Sequence, residues 1–343
     1  MRRIWLALAA LSLLAWAQAE ARPALAAADR VRIREVYRLA RALDDRLWPH
    51  WSRAPFAVLL VSGDSQFLIH HPKPPAEYRS LGRDPVLETE VYWHARTYPA
   101  NFLATFPILD PALPTIVVGE PEATHKNSTQ WVVTILHEHF HQLQYSQPSY
   151  YKDVEALGLA HGDKTGMWML NYPFPYKDAQ VNARYEKVRQ PLLSALTKPI
   201  AYPKFVSEFV SGWQQFLQNL TAEDQKYLLF QVWQEGIARY TEIQVADFAA
   251  QHYRPSASFQ KLADFVPFSQ IAAEAKNQTL EELAKLSPAQ DERLVFYPLG
   301  ASIALLLDRE KPDWKSEYLQ HEFTLPVDEV LPRKMREAAL SSH

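Results

Sequence analysis

The stretch WVVTILHEHFHQLQYS, at residues 131–146, contains three histidines within five positions and a glutamate between the first two. On an α-helix, side chains four residues apart lie on the same face, whereas side chains two residues apart point in different directions. In a helix, His137 and His141 can therefore bind one ion together, with Glu138 beside them. His139 would point away from that ion, toward packing or a supporting hydrogen bond.

The residues around this stretch predict that it is helical. Asn127 is a favourable N-cap residue and Pro148 cannot lie inside a helix, so we expect a helix at about 129–146. The apolar run TIVVG, at 115–119, predicts a strand that leads into this helix. The histidines and the glutamate thus lie on a capped helix that follows a strand.

The spacing H-E-x-x-H has a specific chemical use. Two neutral imidazoles hold Zn²⁺, which polarises a water molecule, and the adjacent carboxylate of Glu138 accepts the proton of that water. The simpler alternative is a helix that carries structural histidines. A catalytic zinc also needs a third protein ligand and an open position. Gln144 and Gln147 stand where the metzincin enzymes have a glycine and a third histidine, which excludes that branch.

A second segment supplies a candidate for the third ligand. VWQEGIARYTEIQVADF, at 232–248, resembles the W-x-x-E-G-F-A-x-Y-x-E signature of gluzincin metallopeptidases of the aminopeptidase N type. The resemblance implies that Glu235 is the third zinc ligand. The other residues that match the signature are Gly236, Ala238, Tyr240 and Glu242. The tryptophan is one residue closer to the glutamate than in the signature.

A third segment, FYPLGASIALLLD at 296–308, resembles the Y-x-x-G-x-A segment that begins a later helix in those enzymes. The resemblance implies that the hydroxyl of Tyr297 donates a hydrogen bond to the oxyanion that forms at the scissile carbonyl. Pro298 is favourable as the first residue of a helix, which would leave Tyr297 at the mouth of that helix. An aromatic residue packed at a helix start is the alternative.

The chain also departs from the known gluzincin branches. Residues 142–234 lie between His141 and Glu235, and Ala160 occupies the position that corresponds to the glutamate of the aminopeptidase branch. The thermolysin branch usually has an aspartate four residues after its ligand glutamate, where this chain has Arg239. The G-x-M-E-N motif of the aminopeptidases is absent from the sequence. These differences indicate a divergent or separate gluzincin family, and they leave an aminopeptidase activity unsupported.

Two polar residues and an aromatic segment have open roles. Glu242 lies seven residues after Glu235 on the same helix face, and it is either a support for a zinc ligand or an ordinary solvated carboxylate. Residues 145–200 form an insertion whose first part is rich in tyrosine. This insertion is either a wall or lid over the cleft, or a satellite core packed by its aromatic side chains. His161, within it, is a candidate second donor to substrate.

The first residues predict export. Arg2 and Arg3 precede an apolar run that ends in the sequence AQA, which is typical of a secretory signal peptide at 1–19. The run is shorter than the roughly 20 apolar residues that cross a bilayer, and no second run follows it. We therefore expect a periplasmic or secreted protein with no membrane span after cleavage, and the form of the signal peptide favours a bacterial source.

Composition restricts the metal ligands and the partners. The chain has no cysteine, so any metal must be bound by His, Asp or Glu. A net charge of -3 argues against a nucleic-acid-binding protein, which normally presents a basic face. Hydrophobic residues make up 48% of the chain, which is enough for a large core.

The order of elements predicts an α+β fold that is predominantly helical. A helix at 29–48 comes first, helices end the chain, and the β-like runs between them are 56–62, 66–71, 86–95 and 115–119. By the resemblance, we expect a thermolysin-like zincin fold with a small N-terminal lobe of antiparallel strands at 20–127 and a helical, zinc-binding catalytic lobe at 128–343. The strand 115–119 is expected at an edge of the sheet, where an extended peptide could bind by strand addition.

These features together predict a secreted, zinc-dependent, metallopeptidase-like hydrolase that cleaves peptide bonds. The metal ligands would be His137, His141 and Glu235. Glu138 would act as the general base, and Tyr297 would stabilise the oxyanion. Two alternatives are a non-catalytic, zincin-like binding or assembly module of the cell envelope and a hydrolase of non-peptide amides. The motifs leave open which peptide or protein is the substrate, and they leave open the oligomeric state.

Overall fold

The computed structural model describes residues 23–108, 113–320 and 323–330. The predicted signal peptide, 1–19, and the end of the C-terminal segment, 331–343, lie outside the described residues. Within the described ranges, no helix is both long enough and apolar enough to cross a membrane.

The N-terminal part consists of one helix and a six-stranded sheet. Helix α1 is Ala27–Leu43, and strands β1 to β6 are Ala57–Ser62, Ser65–Ile69, Arg79–Asp84, Thr89–Ala95, Leu103–Ile108 and Leu113–Gly119. The four predicted β-like runs coincide with β1, β2, β4 and β6. The sequence analysis misses β3 because its sequence, RSLGRD, is polar, and it misses β5 because its sequence, LATFPI, contains a proline.

The order of the strands across the sheet is β3-β4-β2-β1-β6-β5. Neighbouring strands are antiparallel except β1 and β6, which are parallel, with Ala57 beside Thr115 and Val61 beside Gly119. The prediction of antiparallel strands is therefore wrong for this pair, because the chain passes from β1 to β6 by a crossover and not by a hairpin. The prediction of an edge strand at 115–119 is also wrong, because β6 lies between β1 and β5. The edge strand on this side is β5.

The remainder of the described chain is mostly helical. Helices α2 to α12 are Ser128–Tyr145, Tyr150–Ala156, Trp168–Asn171, Ala179–Thr197, Tyr202–Gln218, Ala222–Gln231, Ile237–His252, Phe268–Lys285, Pro288–Asp291, Phe296–Glu310 and Lys315–Tyr318. A π-helical segment, Val232–Gly236, joins α7 to α8, so one continuous helix runs from 222 to 252. Short 3₁₀ turns are Asp44–Arg46, Trp51–Arg53, Glu292–Val295 and Val327–Glu329. The fold is α+β with helix predominating, as the sequence predicts.

Helix α2 lies between the sheet and the other helices. The side chain of Asn127 accepts hydrogen bonds from the backbone N–H groups of Thr129 and Gln130, and the side chain of Gln130 accepts one from the backbone of Asn127. This capping box defines the start of the helix. The helix packs against β5 and β6 on one side and against α8 on the other, within one hydrophobic core. Its bounds, Ser128–Tyr145, confirm the predicted helix to within one residue at each end.

Two glycines, Gly236 and Gly300, allow α11 to pack very closely against the continuous helix 222–252. A Cβ atom added to Gly236 would lie 2.5 Å from the Cα atom of Gly300, so neither position has room for a side chain. Gly236 follows Glu235 directly, and Gly300 lies three residues after Tyr297. The close contact therefore brings together two residues that the sequence analysis selects in separate motifs.

Candidate metal centre

The three residues proposed as metal ligands lie together in the structure. One potential ligand atom from each of His137, His141 and Glu235 lies within 4.8 Å of the other two. Both histidines belong to α2, whereas Glu235 belongs to the π-helical segment before α8. The Nε2 atom of His141 is 3.5 Å from Oε2 of Glu235. A single ion is within reach of all three side chains, although residues 142–234 separate them in the sequence.

A hydrogen-bond chain determines which nitrogen of His141 faces Glu235. Nδ1 of His141 lies 2.7 Å from Oε1 of Gln144. The amide nitrogen of Gln144 donates to the hydroxyl of Tyr318 at 2.7 Å and to the backbone carbonyl of Gln234 at 3.2 Å. Because an amide oxygen only accepts, Nδ1 of His141 carries a hydrogen, and in the neutral imidazole the lone pair is therefore on Nε2. That lone pair is directed to the side of Glu235, as a metal ligand requires.

Glu242 lies beside the other histidine. Its Oε2 atom is 3.4 Å from Nδ1 of His137, and its side chain is only 17% exposed. Arg239 lies 3.8 Å from the same oxygen. A carboxylate on Nδ1 orients an imidazole and increases the basicity of Nε2. Glu242 is therefore not a solvated surface carboxylate, and it contacts Nδ1 of His137 as a neighbouring charge without hydrogen-bond geometry.

Opposite charges in this cluster shift the ionisation of its members. Burial lowers the pKa of His141, but the carboxylate of Glu235 outweighs burial and raises this pKa to about 9. Burial raises the pKa of Glu235, but the imidazoles, chiefly His141, lower it to about 2. For Glu242, Arg239 and His137 outweigh burial in the same way and lower the pKa to about 2. The two carboxylates are therefore ionised at neutral pH, which favours a bound cation.

The edge strand β5 holds the carboxylate of Glu138. The hydroxyl of Thr105 lies 2.8 Å from Oε2 of Glu138 and 3.0 Å from its backbone carbonyl, and it can donate to either oxygen. Glu138 itself is buried at the base of a cleft. Sequence reasoning does not identify Thr105, because it misses the strand to which this residue belongs. No motif in the sequence could have revealed this contact.

Tyr297 lies in the first turn of α11 and lines the same cleft. Burial, followed by the charge of Glu235, raises its pKa above the ordinary value, so its phenol stays protonated. Nη1 of Arg293 donates a hydrogen bond to the phenol oxygen at 2.9 Å. Because the oxygen accepts from Arg293, its own hydrogen is free to point toward Glu235 or toward a group in the cleft. Arg293, on the 3₁₀ turn before α11, is a second functional candidate that the sequence analysis misses.

The cleft that the proposed metal ligands line has a volume of about 1580 Å³. It is lined by residues of β5, α2, the start of α8 and α9, and by residues between 145 and 170. This cleft is larger than the roughly 300–1,000 Å³ typical of small-molecule sites. It can accommodate an extended polymer.

His139 and His161 are not part of the cluster of proposed metal ligands. His139 faces the opposite side of α2, where its ring stacks on Phe56 with centroids 3.7 Å apart and Nδ1 lies 2.9 Å from Oε1 of Gln142. The predicted orientation of His139 is therefore confirmed, and burial lowers its pKa to about 4. His161 lines the cleft, but its side chain is 60% exposed and lies 3.7 Å from Glu223.

Comparison with known proteins finds no match. No protein-family model, no curated protein and no solved structure matches this chain. The functional interpretation therefore depends on the residues of the chain itself. The central feature of the candidate site is the cluster of His137, His141 and Glu235, which lines a large cleft. Glu138 and Tyr297 line the same cleft.

Proposed function

We propose that the protein is a secreted or periplasmic zinc hydrolase of the gluzincin type, with a thermolysin-like fold, that cleaves peptide bonds. The observation that carries the proposal is the convergence of His137, His141 and Glu235, whose ligand atoms lie within 4.8 Å of one another. The cleft above them is large enough for a peptide, and it is lined by a candidate base, Glu138, and a candidate oxyanion donor, Tyr297.

The residues present fit a catalytic zinc ion. Two imidazole nitrogens and one carboxylate form the donor set of many catalytic zinc sites, which leave one position open. Calcium and magnesium prefer oxygen donors alone. The hydrogen bond from His141 to Gln144 and the contact of His137 with Glu242 are the kind of support that zinc-binding imidazoles normally have. When bound, zinc would polarise the scissile carbonyl and acidify a water molecule.

The protein side chains would transfer the protons. Glu138 accepts a proton from the attacking water and delivers it to the leaving amine. The hydroxyl of Thr105, 2.8 Å from Oε2 of Glu138, keeps this carboxylate in one orientation. Tyr297 donates its hydroxyl hydrogen to the oxygen of the scissile carbonyl as negative charge develops there. Arg293 would be a positioning residue, because its hydrogen bond to the phenol oxygen at 2.9 Å holds the ring and leaves the phenol hydrogen to be donated.

The edge strand β5 offers a binding mode for the substrate. It pairs only with β6 among the described strands, so its outer backbone N–H and C=O groups can pair with an extended peptide. Residues 102–107 line the cleft. This strand takes the role that the sequence analysis assigns to 115–119, which lies inside the sheet.

Metal analysis is the direct test of this proposal. We expect the purified protein to contain about one zinc ion per chain, because the three side chains form one site, as measured by inductively coupled plasma mass spectrometry. Glu235→Ala should lose the metal. Glu274→Ala, which removes an exposed carboxylate from the wall of the same cleft, should keep it. A wild-type protein without zinc whose Glu235→Ala variant is identical in stability and activity would refute the proposal.

Replacement of Tyr297 by Phe should lower kcat for peptide hydrolysis by about 10²–10³-fold, because the variant loses a donor aimed at the developing oxyanion. Zinc content should not change, since the phenol is not a metal ligand. The control is Tyr151→Phe, which removes the hydroxyl of a half-exposed tyrosine that lines the same cleft, keeps its ring and should leave kcat unchanged. Equal activities of the two variants in a steady-state peptide assay would exclude the role of Tyr297.

Protein from which a chelator has removed divalent metal should lose stability as the pH rises from 6.5 to about 9. The pKa of His141 is raised from 6.5 to about 9 in the folded protein, so its contribution is complete below pH 6.5 and disappears as the pH rises through 9. The pKa of Glu235 is lowered from 4.5 to about 2, so its contribution persists above pH 4.5 and is lost only as the pH falls through 2. Of this pair, only His141 therefore changes ionisation in the upper window.

We expect the lost stabilisation to lower the Tm of the chelator-treated protein by about a few degrees, as measured by differential scanning fluorimetry. His141→Gln should lack the decrease, because its side chain does not ionise. Zinc-loaded protein should also lack it, since zinc binds the neutral imidazole and its affinity rises with pH. A Tm of the metal-free protein that rises between pH 6.5 and 9 would contradict the pairing of His141 with Glu235.

A further inference from the structure

A second pocket lies on the other side of helix α2 from the proposed metal ligands. His139 lines this pocket, whereas His137 and His141 line the main cleft, and the two linings share no residue. We call it the rear pocket, and it is lined by one face of α1, by residues between 51 and 56, by His70 and by residues 86–88. Its volume is about 500 Å³, which lies within the roughly 300–1,000 Å³ typical of small-molecule sites.

Three arginines of α1 line the rear pocket, namely Arg34, Arg38 and Arg41. They are four and three residues apart, so their side chains lie on one face of the helix, where like charges repel. Arg38 pairs with Glu35 at 3.2 Å. Among the described residues, none forms an ion pair with Arg34 or Arg41. A bound anion would relieve the repulsion along this face.

Two carboxylates and a histidine also belong to the lining. Asp44 and Glu88 line the rear pocket, but within the described part of the chain neither forms an ion pair with an arginine. Burial lowers the pKa of His70, and the positive charge of Arg41 lowers it further, so this imidazole is neutral at neutral pH. The charge of Arg41 therefore acts on the rings of the pocket.

Five rings form a continuous aromatic surface in the rear pocket. The centroid of Tyr37 lies 4.3 Å from that of His70 and 4.6 Å from that of Phe56. The ring of Phe56 stacks on His139 with centroids 3.7 Å apart, and His139 meets Trp51 at 4.6 Å. All five residues line the pocket. Such a surface favours a ligand that has a ring of its own, because aromatic rings stack or meet edge to face.

Trp51 adds an unpaired donor to this lining. Its side chain is 1% exposed, and its Nε1 atom has no hydrogen-bond partner among the described residues. An indole nitrogen only donates, and a buried donor without a partner is destabilising. An acceptor atom of a ligand that reaches Nε1 would remove this cost. Like the two unpaired arginines, Trp51 therefore favours a ligand that is rich in acceptors.

We propose that the rear pocket binds a small organic anion in which a carboxylate or a phosphate is attached to an aromatic ring system. Guanidinium groups bind both kinds of anion through paired, charge-assisted hydrogen bonds, and the five rings would pack against the ring of the ligand. A long polyanion such as a nucleic acid fits less well, because Asp44 and Glu88 would face its charges. The proposal does not depend on the proposed hydrolase activity.

Isothermal titration calorimetry of the full chain with five probes tests the proposal. Naphthoate and naphthyl phosphate carry both a ring system and an anion, naphthalenemethanol carries the ring system alone, and acetate and inorganic phosphate carry the charge alone. We expect at least one aromatic anion to bind at least about tenfold more tightly than any of the last three probes, because each of these lacks one of the two interactions. Whichever aromatic anion binds more tightly identifies the preferred charged group.

The double variant Arg34→Gln, Arg41→Gln should raise the Kd of that aromatic anion by at least about tenfold, since it removes two unpaired cations from the pocket. Both side chains are exposed, so the substitutions leave the core intact, which circular dichroism checks. The matched control is Arg83→Gln, Arg254→Gln. It removes the same charge from two exposed arginines that line neither the rear pocket nor the main cleft, and it should bind the anion as the wild-type protein does.

Four results would overturn the proposal. The first is that neither aromatic anion binds the wild-type protein, and the second is that the neutral or the ringless probes bind as tightly. The third is that the Arg34, Arg41 variant keeps the wild-type Kd, since the ligand would then lie elsewhere, for example in the main cleft. The fourth is an equal loss of affinity in both double variants, which would show attraction by net charge and not by a built pocket.

Discussion

Replacing Glu138 with Gln is expected to lower kcat for peptide hydrolysis by about 10²–10⁴-fold, the usual contribution of a general base, and to leave the fold and the zinc content unchanged. Gln has nearly the shape of Glu, and its amide oxygen can still accept the hydrogen bond that Thr105 donates to Oε2 at 2.8 Å. It cannot accept a proton from water. The proposed ligands His137 and His141 lie before and after it in the same helix and should keep their positions.

Glu274→Gln is the control for the change of charge. Glu274 lines the same cleft, but it is exposed on α9 and bonds to the side-chain amide of Gln270. Both substitutions remove one negative charge from the lining of the cleft, and only Glu138→Gln removes the proposed base. The measurement is steady-state hydrolysis of a peptide, with zinc content and circular dichroism recorded for each variant. If Glu138→Gln retains activity within about tenfold of the wild-type value, Glu138 is not the general base.

The local parts of the site could be predicted from the sequence. Helix α2 begins with a capping box and contains its histidines at a fixed spacing, so its position and the opposite orientation of His139 depend only on residues near one another in the chain. Resemblance, and not spacing, indicates Glu235, because its approach to His141 requires the fold of residues 142–234.

The supporting residues could not be predicted, because their contacts are tertiary. Thr105 reaches Glu138 only because it lies on the edge strand β5. The proline in β5 argues against a strand there, so the sequence does not predict it. Arg293 reaches Tyr297 across one turn, yet a lone arginine near a helix start has no distinctive pattern. Gln144 lies within the recognised motif, but its hydrogen bond to Tyr318 joins residues far apart in the chain. Sequence reasoning thus identified the candidate ligands and missed most of what orients them.

The contact between Gly236 and Gly300 joins α11 to the continuous helix 222–252. Gly300→Ala should lower both stability and catalysis, because its Cβ atom would lie 2.6 Å from the Cα atom of Gly236 and 2.6 Å from the backbone oxygen of Val232. Backbone atoms cannot move aside as a flexible side chain can, so α11 must shift. The overpacking should cost about 1–3 kcal/mol of the free energy of unfolding. A shift of about 1 Å between Tyr297 and Glu235 should lower kcat by about 10²-fold.

Gly212→Ala separates these two effects. Gly212 lies on α6, where an added Cβ atom would be 2.7 Å from the backbone oxygen of Lys187 on α5, so a similar loss of stability is expected. Neither residue lines the cleft, and kcat measured well below the unfolding transition should therefore be unchanged. Urea unfolding gives the stabilities, and peptide hydrolysis gives kcat. If both variants are destabilised alike and both keep full activity, the contact of Gly236 with Gly300 only supports the fold. If kcat falls for Gly300→Ala alone, the contact also determines the distance between the residues proposed for metal binding and oxyanion stabilisation.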